Sequence, residues 1–191
     1  ARLEQETGQE TGFAPVGFIE IASDSDRLEE QRRVAAFNRF HGNEVHELSP
    51  AEVKDLFPLA SVDDIQAGFY CPTDGRINPV DITLALSKGA RMKGATRLQN
   101  TPVEDVLLRN GEVYGVKTKK GDIRCEFVVN CAGMWARQLG EKSGVCIPNQ
   151  AAEHYYLITD DIDGMSKDLP ILEDPSRYAY YREEVGGLMI G

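Results

Sequence analysis

The chain has 191 residues, of which 41% are hydrophobic and 27% charged, and its formal net charge is -10. This composition is typical of one globular domain or slightly more. The acidic balance excludes nucleic acid and anionic membrane surfaces as expected partners, because phosphate groups are bound by clustered Lys and Arg. No apolar run approaches the roughly 20 residues that span a bilayer, and the polar N-terminus does not resemble a signal peptide.

The first third of the chain predicts alternating strands and helices after a polar segment of 12 residues that we expect to be poorly ordered. One helix is predicted from Asp26 to Phe40, where Glu29 stands at the capping-box spacing from Asp26. A second helix is predicted after Ser49, an N-cap residue, with Pro50 in its first position. The predicted strands cover residues 16–22, 44–48 and 67–71.

A third helix is predicted after the turn at Asp74 and Gly75. Asn78 is its expected N-cap, Pro79 its first residue, and it runs to about residue 93. From residue 96 onward the pattern predicts a meander with strands at 103–108, 113–118 and 123–130. The dipeptide at 110–111, Asn-Gly, is a strong hairpin signal between the first two of these strands.

The meander leads into the sequence N-C-A-G-M-W at residues 130–135, which we call the corner. The apolar run 127–129 predicts a strand buried on both faces, and a helix is expected from Met134. Small residues at such a corner serve close packing of strand and helix. They also leave backbone N–H groups open to an anion or to the edge of a ring system. Beyond the corner, an aromatic strand is predicted at 153–159, with partners at 177–182 and 187–191.

The four cysteines, Cys71, Cys125, Cys131 and Cys146, show no C-x-x-C spacing and no histidine at a zinc-finger interval. We interpret them as reduced packing residues of a cytoplasmic protein and expect no metal site. The chain begins without Met and stops inside an apolar, strand-like run. We therefore expect it to be an internal fragment of a longer protein.

Four segments together resemble the FAD-dependent amine oxidoreductases of the DAO type. They are D-G-R-I-N-P-V-D at 74–81, V-V-N-C-A-G-M-W-A at 128–136, E-H-Y-Y at 153–156 and Y-Y-R-E-E-V-G-G-L at 180–188. The chain is most similar to the dimethylglycine and sarcosine dehydrogenase branch and to the related regulatory subunit of pyruvate dehydrogenase phosphatase. The resemblance covers nearly the whole chain from about residue 12.

The resemblance implies oxidation of an N-methylated amino acid by hydride transfer to flavin N5, with formaldehyde release or one-carbon transfer to tetrahydrofolate. It also implies that the G-x-G-x-x-G unit, the histidine that carries covalent flavin and the folate-binding domain lie outside this chain, which contains no G-x-G-x-x-G. We therefore expect FAD in the full-length protein and little binding or activity in the fragment. The alternative is a non-catalytic regulatory subunit with the same architecture.

On the cofactor side, the resemblance assigns the backbone of Val103 to the adenine end of FAD. It places Cys131, Ala132 and Gly133 beside the ribityl chain and pyrophosphate, with Trp135 behind them. The helix start at Asn78 and Pro79 matches a segment near the cofactor. For each of these residues, packing in the core or capping of a helix is an alternative to a role in cofactor binding.

On the substrate side, strand alternation puts His154 and Tyr156 on one face, and Tyr178 and Tyr180 on one face of the neighbouring strand. His154 could act as a base, because an unperturbed imidazole titrates near neutral pH, or it could be a packed, hydrogen-bonded residue. The resemblance places Tyr178 near the substrate. Arg182 is a candidate for the substrate carboxylate, or it could turn outward.

The predicted fold class is α+β, with a mixed or antiparallel sheet and helices forming a substrate domain beside part of a DAO-type FAD-binding domain. We assign residues 1–70 and 146–191 to the substrate domain and residues 71–145 to the middle of the FAD-binding domain. A generic small-ligand binding domain is a further alternative.

Overall fold

The computed structural model describes residues 2–191. The chain forms two compact units, one made of the residues up to Gly94 together with those from His154 onward, and the other made of Ala95–Glu153. This division differs from the predicted boundaries at 70/71 and 145/146. The assignment of those segments to a substrate domain and an FAD-binding domain stays a prediction.

The first unit is built on a seven-stranded, mostly antiparallel sheet. Its strands are β1 (Phe18–Ala22), β2 (His46–Leu48), β3 (Ala67–Cys71), β7 (Leu157–Ile158), β8 (Ile171–Asp174), β9 (Ala179–Glu184) and β10 (Gly187–Ile190). They are arranged in the order β2-β3-β1-β8-β9-β10-β7. The one parallel pair in the described chain joins β1 to β8, with Ile19 opposite Leu172.

The helices of the first unit pack on the sheet or on one another. They are α1 (Arg2–Thr7), α2 (Ser25–Phe40), α3 (Pro50–Leu56) and α4 (Pro79–Met92). Because side chains alternate along β1, Ile19 and Ile21 lie on one face of the sheet. They pack in a core with Val53 of α3 and with Phe57, the residue that follows this helix. The opposite face packs Ala22 against Ala35 of α2.

The second unit contains a three-stranded antiparallel meander and a short helix. Its elements are β4 (Val103–Arg109), β5 (Glu112–Thr118), β6 (Gly121–Arg124), a 3-10 turn (Gly133–Trp135) and α5 (Ala136–Lys142). The predicted hairpin is confirmed, since Asn110 and Gly111 form the two-residue turn with φ of 53° and 83°. Both values are positive, which is the conformation that a type I′ turn requires.

The prediction of a buried strand at 127–129 is wrong for this chain. The third strand of the meander ends at Arg124, and the run that follows has no regular secondary structure. Phe127 and Val129 are 84% and 82% exposed. A strand that is buried on both faces needs neighbouring strands and covering layers, and in residues 2–191 no strand pairs with this run. The helix predicted after it is present as the 3-10 turn and α5.

The aromatic strand predicted at 153–159 is reduced to Leu157–Ile158. It pairs with β10, which confirms the predicted partner at 187–191, and it does not pair with the other predicted partner at 177–182. Strand β8 was not predicted, and the N-terminal segment expected to be poorly ordered contains α1. The cap of α2 is Asp24 instead of Asp26. Asp24 has the extended backbone of an N-cap and accepts a hydrogen bond from the Arg27 N–H at 2.7 Å, whereas Asp26 already lies inside the helix.

None of the helices in the described part of the chain is long and apolar enough to cross a membrane. Among the same residues, no cluster of His, Cys, Asp and Glu is arranged to hold a metal ion. All four cysteines are free thiols.

Candidate functional site

The first unit contains a cavity of about 590 Å³ between the start of α4 and the β9–β10 hairpin, which we call the hairpin cavity. Three of the segments that suggested the family resemblance meet in its wall. The wall residues from these segments are Arg76, Ile77, Asn78, Pro79, Tyr156, Arg182, Glu183, Glu184 and Val185. Lys167, Ile158, Met189 and Gly12 complete the lining.

The start of α4 is fixed in this wall by its own sequence. The Asn78 side-chain oxygen accepts hydrogen bonds from the N–H groups of Val80 at 2.9 Å and Asp81 at 3.2 Å. Pro79 occupies the first helical position, where the N–H that it lacks would have had no partner inside the helix. The predicted cap is therefore confirmed, and it places the first turn of α4 beside the cavity.

A buried ion pair joins the α4 side of the cavity to the hairpin. The Arg76 Nη1 lies 2.5 Å from the Glu183 Oε2 and also donates to the Glu183 carbonyl at 2.6 Å. The Glu183 side chain is only 3% exposed, and its other carboxylate oxygen accepts from the Gly186 N–H at 2.9 Å. Every charged oxygen of Glu183 thus has a partner, which is the condition for burying a carboxylate at acceptable cost.

Burial disfavours the charged form of Glu183, but the hydrogen bonds from Gly186 and Arg76 outweigh it and hold the pKa of this carboxyl below its usual value. Glu183 is therefore ionised at neutral pH. Sequence analysis missed Arg76 and Glu183 as a pair, because they are 107 residues apart. Both residues lie in segments that carry the family resemblance, and the sequence contains no other sign that they belong to one site.

Arg182 faces the cavity from β9 and is held by neighbours on the same strand pair. Its Nη2 lies 2.7 Å from the Glu184 Oε2, and its Nε lies 3.2 Å from the Met189 sulfur. Tyr156 also lines the cavity. Tyr180 lies two residues before Arg182 in β9 and therefore on the same face of the sheet. The structure thus brings Tyr156 and Arg182 to one cavity and leaves Tyr180 outside its lining, on the sheet face that carries Arg182.

The two residues predicted to be catalytic do not line this cavity. Tyr178 lies in the turn before β9, with φ of 53°, and is 93% exposed, so the prediction that it shares a strand face with Tyr180 is wrong. Asp174 is paired with Ala179, which leaves residues 175–178 to form the turn. His154 is exposed and precedes β7, in a stretch without regular secondary structure.

The corner in the second unit is an open turn. The Asn130 side chain closes it by accepting from the Ala132 N–H at 3.2 Å and donating to the Ala136 carbonyl at 2.9 Å. Gly133 has φ of 56°, and a Cβ placed on it would meet no atom within 4 Å. Within residues 2–191, the N–H groups of Cys131 and Gly133 donate to no protein acceptor. The corner therefore combines free donors with space for a close approach.

The remaining cofactor candidates are Val103 in β4 and Trp135 at the end of the corner. Val103 begins β4, which is an edge strand of the meander, so the outer side of its backbone faces no strand of the described chain. Trp135 ends the 3-10 turn and is mostly exposed, so it does not serve as a packing residue within this unit.

The fold belongs to a class of protein, the mixed α/β domains with a mostly antiparallel sheet that DAO-type flavoprotein oxidoreductases contain. L-proline dehydrogenase from P. horikoshii is similar over the whole chain and over 51% of its own chain, with a TM-score of 0.79 and 27% sequence identity. The profile of the FAD dependent oxidoreductase family, DAO, matches residues 1–191. The chain belongs to this family.

Curated relatives show the same relationship at the level of sequence. Human mitochondrial sarcosine dehydrogenase is 37% identical over 99% of this chain, and rat mitochondrial dimethylglycine dehydrogenase is 35% identical over all of it. The mouse pyruvate dehydrogenase phosphatase regulatory subunit is 37% identical over the whole chain. This chain spans 21% to 22% of the length of these relatives. The predicted family and branch are confirmed.

Proposed function

We propose that the protein containing this chain oxidises an N-methylated amino acid of the dimethylglycine or sarcosine type, with FAD as cofactor. The observation that carries the proposal is the hairpin cavity, whose lining includes the cationic side chain of Arg182 and the aromatic ring of Tyr156. An amino acid with a methylated nitrogen presents a carboxylate and a small cationic group. A guanidinium and an aromatic face are complementary to these two groups.

In this proposal Arg182 binds the substrate carboxylate. Its present partner, Glu184, is an exchangeable neighbour on the same strand, because both side chains are partly solvent-accessible and the pair is not buried. The ring of Tyr156 faces the methylated nitrogen, and the Tyr180 hydroxyl is available as a further hydrogen-bond donor. Arg76 and Glu183 do not touch the substrate in this account. They hold the hairpin that carries Arg182 against the start of α4.

His154 and Tyr178 remain candidates for proton transfer and substrate contact. Both are solvent-exposed in this chain, so a catalytic role requires that further parts of the protein enclose them. A neutral imidazole at His154 would accept the proton of the substrate ammonium and leave the nitrogen lone pair free. One-carbon transfer to tetrahydrofolate would depend on a folate-binding part outside these 191 residues.

The corner fits a dinucleotide cofactor. Free N–H groups at Cys131 and Gly133 can donate to a ribityl hydroxyl or a phosphate oxygen, and the open space above Gly133 lets such a group approach the backbone. Ala132 and Trp135 flank this position, and Val103 offers backbone groups for the adenine end. When bound, FAD supplies the acceptor, at N5, for the hydride equivalent that leaves the carbon next to the amine nitrogen.

Steady-state kinetics of the full-length protein test the proposal. We expect turnover of sarcosine or dimethylglycine with an artificial electron acceptor, and none with the corresponding amino acid amides, which lack the carboxylate. Arg182→Gln should raise KM about 10-fold or more with a smaller effect on kcat, because a charge-assisted hydrogen bond is lost. The matched change Arg137→Gln removes an exposed Arg of α5 and should leave KM unchanged. An unchanged KM in Arg182→Gln would contradict the assignment.

A second candidate function is supported by the 37% identity to the pyruvate dehydrogenase phosphatase regulatory subunit. In this case the same architecture would serve protein interaction without turnover. The two functions are separated by the kinetic assay, since a regulatory subunit would show no oxidation of any N-methyl amino acid even when loaded with FAD.

A further inference from the structure

The hairpin cavity carries more positive charge than a single substrate carboxylate requires. Its lining includes three cationic side chains, Arg76, Lys167 and Arg182, and two carboxylates, Glu183 and Glu184. The lining therefore has an excess of one positive charge. An amino acid such as sarcosine is a zwitterion without net charge, so its binding leaves this excess in place.

The excess charge is located at Lys167. Both arginines of the lining already have carboxylate partners, since Arg76 pairs with Glu183 at 2.5 Å and Arg182 pairs with Glu184 at 2.7 Å. Lys167 lies close enough to Glu183 to act on it electrostatically. Within residues 2–191, however, the Lys167 ammonium group forms no ion pair and no hydrogen bond, and its three N–H donors are available to a ligand.

The backbone that carries Lys167 is fixed on two sides. Its carbonyl accepts a hydrogen bond from the Arg76 Nη2 at 3.4 Å, on the side of the cavity. On the other side, the Leu169 N–H donates to the Ser166 carbonyl at 3.2 Å and closes a turn, and Leu169 is buried in the core of the first unit. A preordered backbone lowers the entropy that is lost when a side chain is immobilised by a ligand.

The cavity also has room for a ligand larger than sarcosine. Its volume of about 590 Å³ lies within the range of sites that hold much larger small molecules. An amino acid bound by its α-carboxylate at Arg182 would leave space for a side chain. Such a side chain could extend from the bound amino acid toward Lys167.

We propose that Lys167 binds a second carboxylate of the substrate, so that the protein prefers N-methylated amino acids with an acidic side chain. This inference rests on the proposed function and specifies its substrate class. A dicarboxylic amino acid has a net charge of minus one, which matches the excess charge of the lining. Arg182 and Lys167 then each donate charge-assisted hydrogen bonds to one carboxylate. Sarcosine remains a substrate that makes no contact with Lys167.

Steady-state kinetics of the full-length protein compare substrates that differ only in side-chain charge. The pairs are N-methylglutamate with N-methylglutamine, and N-methylaspartate with N-methylasparagine, which has a side chain one carbon shorter. In at least one pair we expect kcat/KM to be about 10-fold or more higher for the acid, because the amide loses a charge-assisted hydrogen bond. Equal values in both pairs, or higher values for the amides, overturn the proposal.

Variants test whether Lys167 is the cause of this preference. Lys167→Met should remove the advantage of the acid over the amide, and Lys167→Arg, which keeps the charge, should retain most of it. Lys167 is exposed, so these changes should not disturb folding. The control is Lys88→Met, which removes an exposed lysine of α4 outside the cavity and should leave the preference unchanged. A preference that persists in Lys167→Met overturns the proposal.

A binding assay separates this inference from the proposed oxidation. Isothermal titration of the full-length protein with glutarate and succinate, and with their monoamides, uses probes that contain no amine to oxidise. We expect at least one dicarboxylate to bind about 10-fold or more tightly than its monoamide, and Lys167→Met to remove the difference. If this result is obtained without turnover of any N-methyl amino acid, only the oxidation is refuted. If sarcosine is oxidised but neither dicarboxylate binds better than its monoamide, only the role of Lys167 is refuted.

Discussion

Removal of the Arg76 side chain should loosen the β9–β10 hairpin. In Arg76→Met the buried Glu183 keeps only the hydrogen bond from Gly186, so a carboxylate that is 3% exposed loses its counter-ion. Breaking a fully buried pair in this way costs about 3–5 kcal/mol. Arg76 itself is 22% exposed, and water can therefore replace part of the lost interaction. We expect a loss of about 2–4 kcal/mol in the stability of the first unit.

The matched control is Arg137→Met, which removes an exposed i,i+4 pair between Arg137 and Glu141 at 2.9 Å. Such pairs contribute about 0.3–0.5 kcal/mol. Hydrogen exchange of the hairpin amides reports on the first unit directly, and urea unfolding followed by circular dichroism gives the total loss. Equal losses in the two variants would refute the conclusion that Arg76 holds the hairpin.

The same pair predicts a dependence of stability on pH. The pKa of Glu183 is lower in the folded chain than in the unfolded chain, so its contribution is complete above the unfolded value of about 4.3. The contribution is lost as the pH falls from there through the folded value. In Glu183→Gln, which cannot titrate, this part of the acid-induced loss should be missing. An acid unfolding curve with the wild-type slope in that variant would contradict the assignment.

Three further changes test local features. Asn78→Ala should cost about 1 kcal/mol, measured by urea unfolding, because two N–H groups at the start of α4 lose their acceptor. Val185→Asn should stabilise the hairpin by a few tenths to about 1 kcal/mol in the same assay, because Val185 is exposed and has φ of 51°, a conformation that β-branched residues rarely adopt. Gly133→Val should weaken FAD binding by the full-length protein, measured by fluorescence titration, because a branched side chain would fill the open corner and strain the left-handed backbone.

Elements with local signals were predictable from the sequence. The Ser49 cap forms its full capping box with Glu52, Asn78 caps α4, and the turn at 110–111 closes its hairpin. Each of these structures depends on residues within a few positions of one another. Such signals need no knowledge of the rest of the fold.

Elements that depend on partners were not predictable. The run 127–129 has the composition of a buried strand but no strand beside it, and the aromatic segment at 153–159 pairs over only two residues. Strand β8 lies between β1 and β9 in the sheet. Its parallel partner β1 is about 150 residues earlier in the sequence, and no local pattern indicates this pairing. Whether each of these segments forms a strand depends on the presence of a pairing partner and not on its composition.

The candidate site was predictable to a similar extent. Arg182, which the sequence offers as a carboxylate-binding candidate or as an outward-facing residue, lines the hairpin cavity, and Tyr180 lies two residues before it in β9. The predicted strand begins at residue 177, whereas β9 begins at Ala179, and Tyr178 therefore lies in the turn and not on the face of Tyr180. Arg76 and Glu183 were not recognised as a pair, since ion pairs between distant segments leave no spacing signal. The cytoplasmic location stays a prediction.

The most direct test of the central claim is an anaerobic titration of the full-length protein with sarcosine and with dimethylglycine, followed through the visible absorbance of the flavin. We predict that the protein is purified with FAD and that one of these substrates bleaches the flavin band, whereas glycine at the same concentration does not. A protein that holds no flavin, or whose flavin stays oxidised with every N-methyl amino acid, would contradict the account.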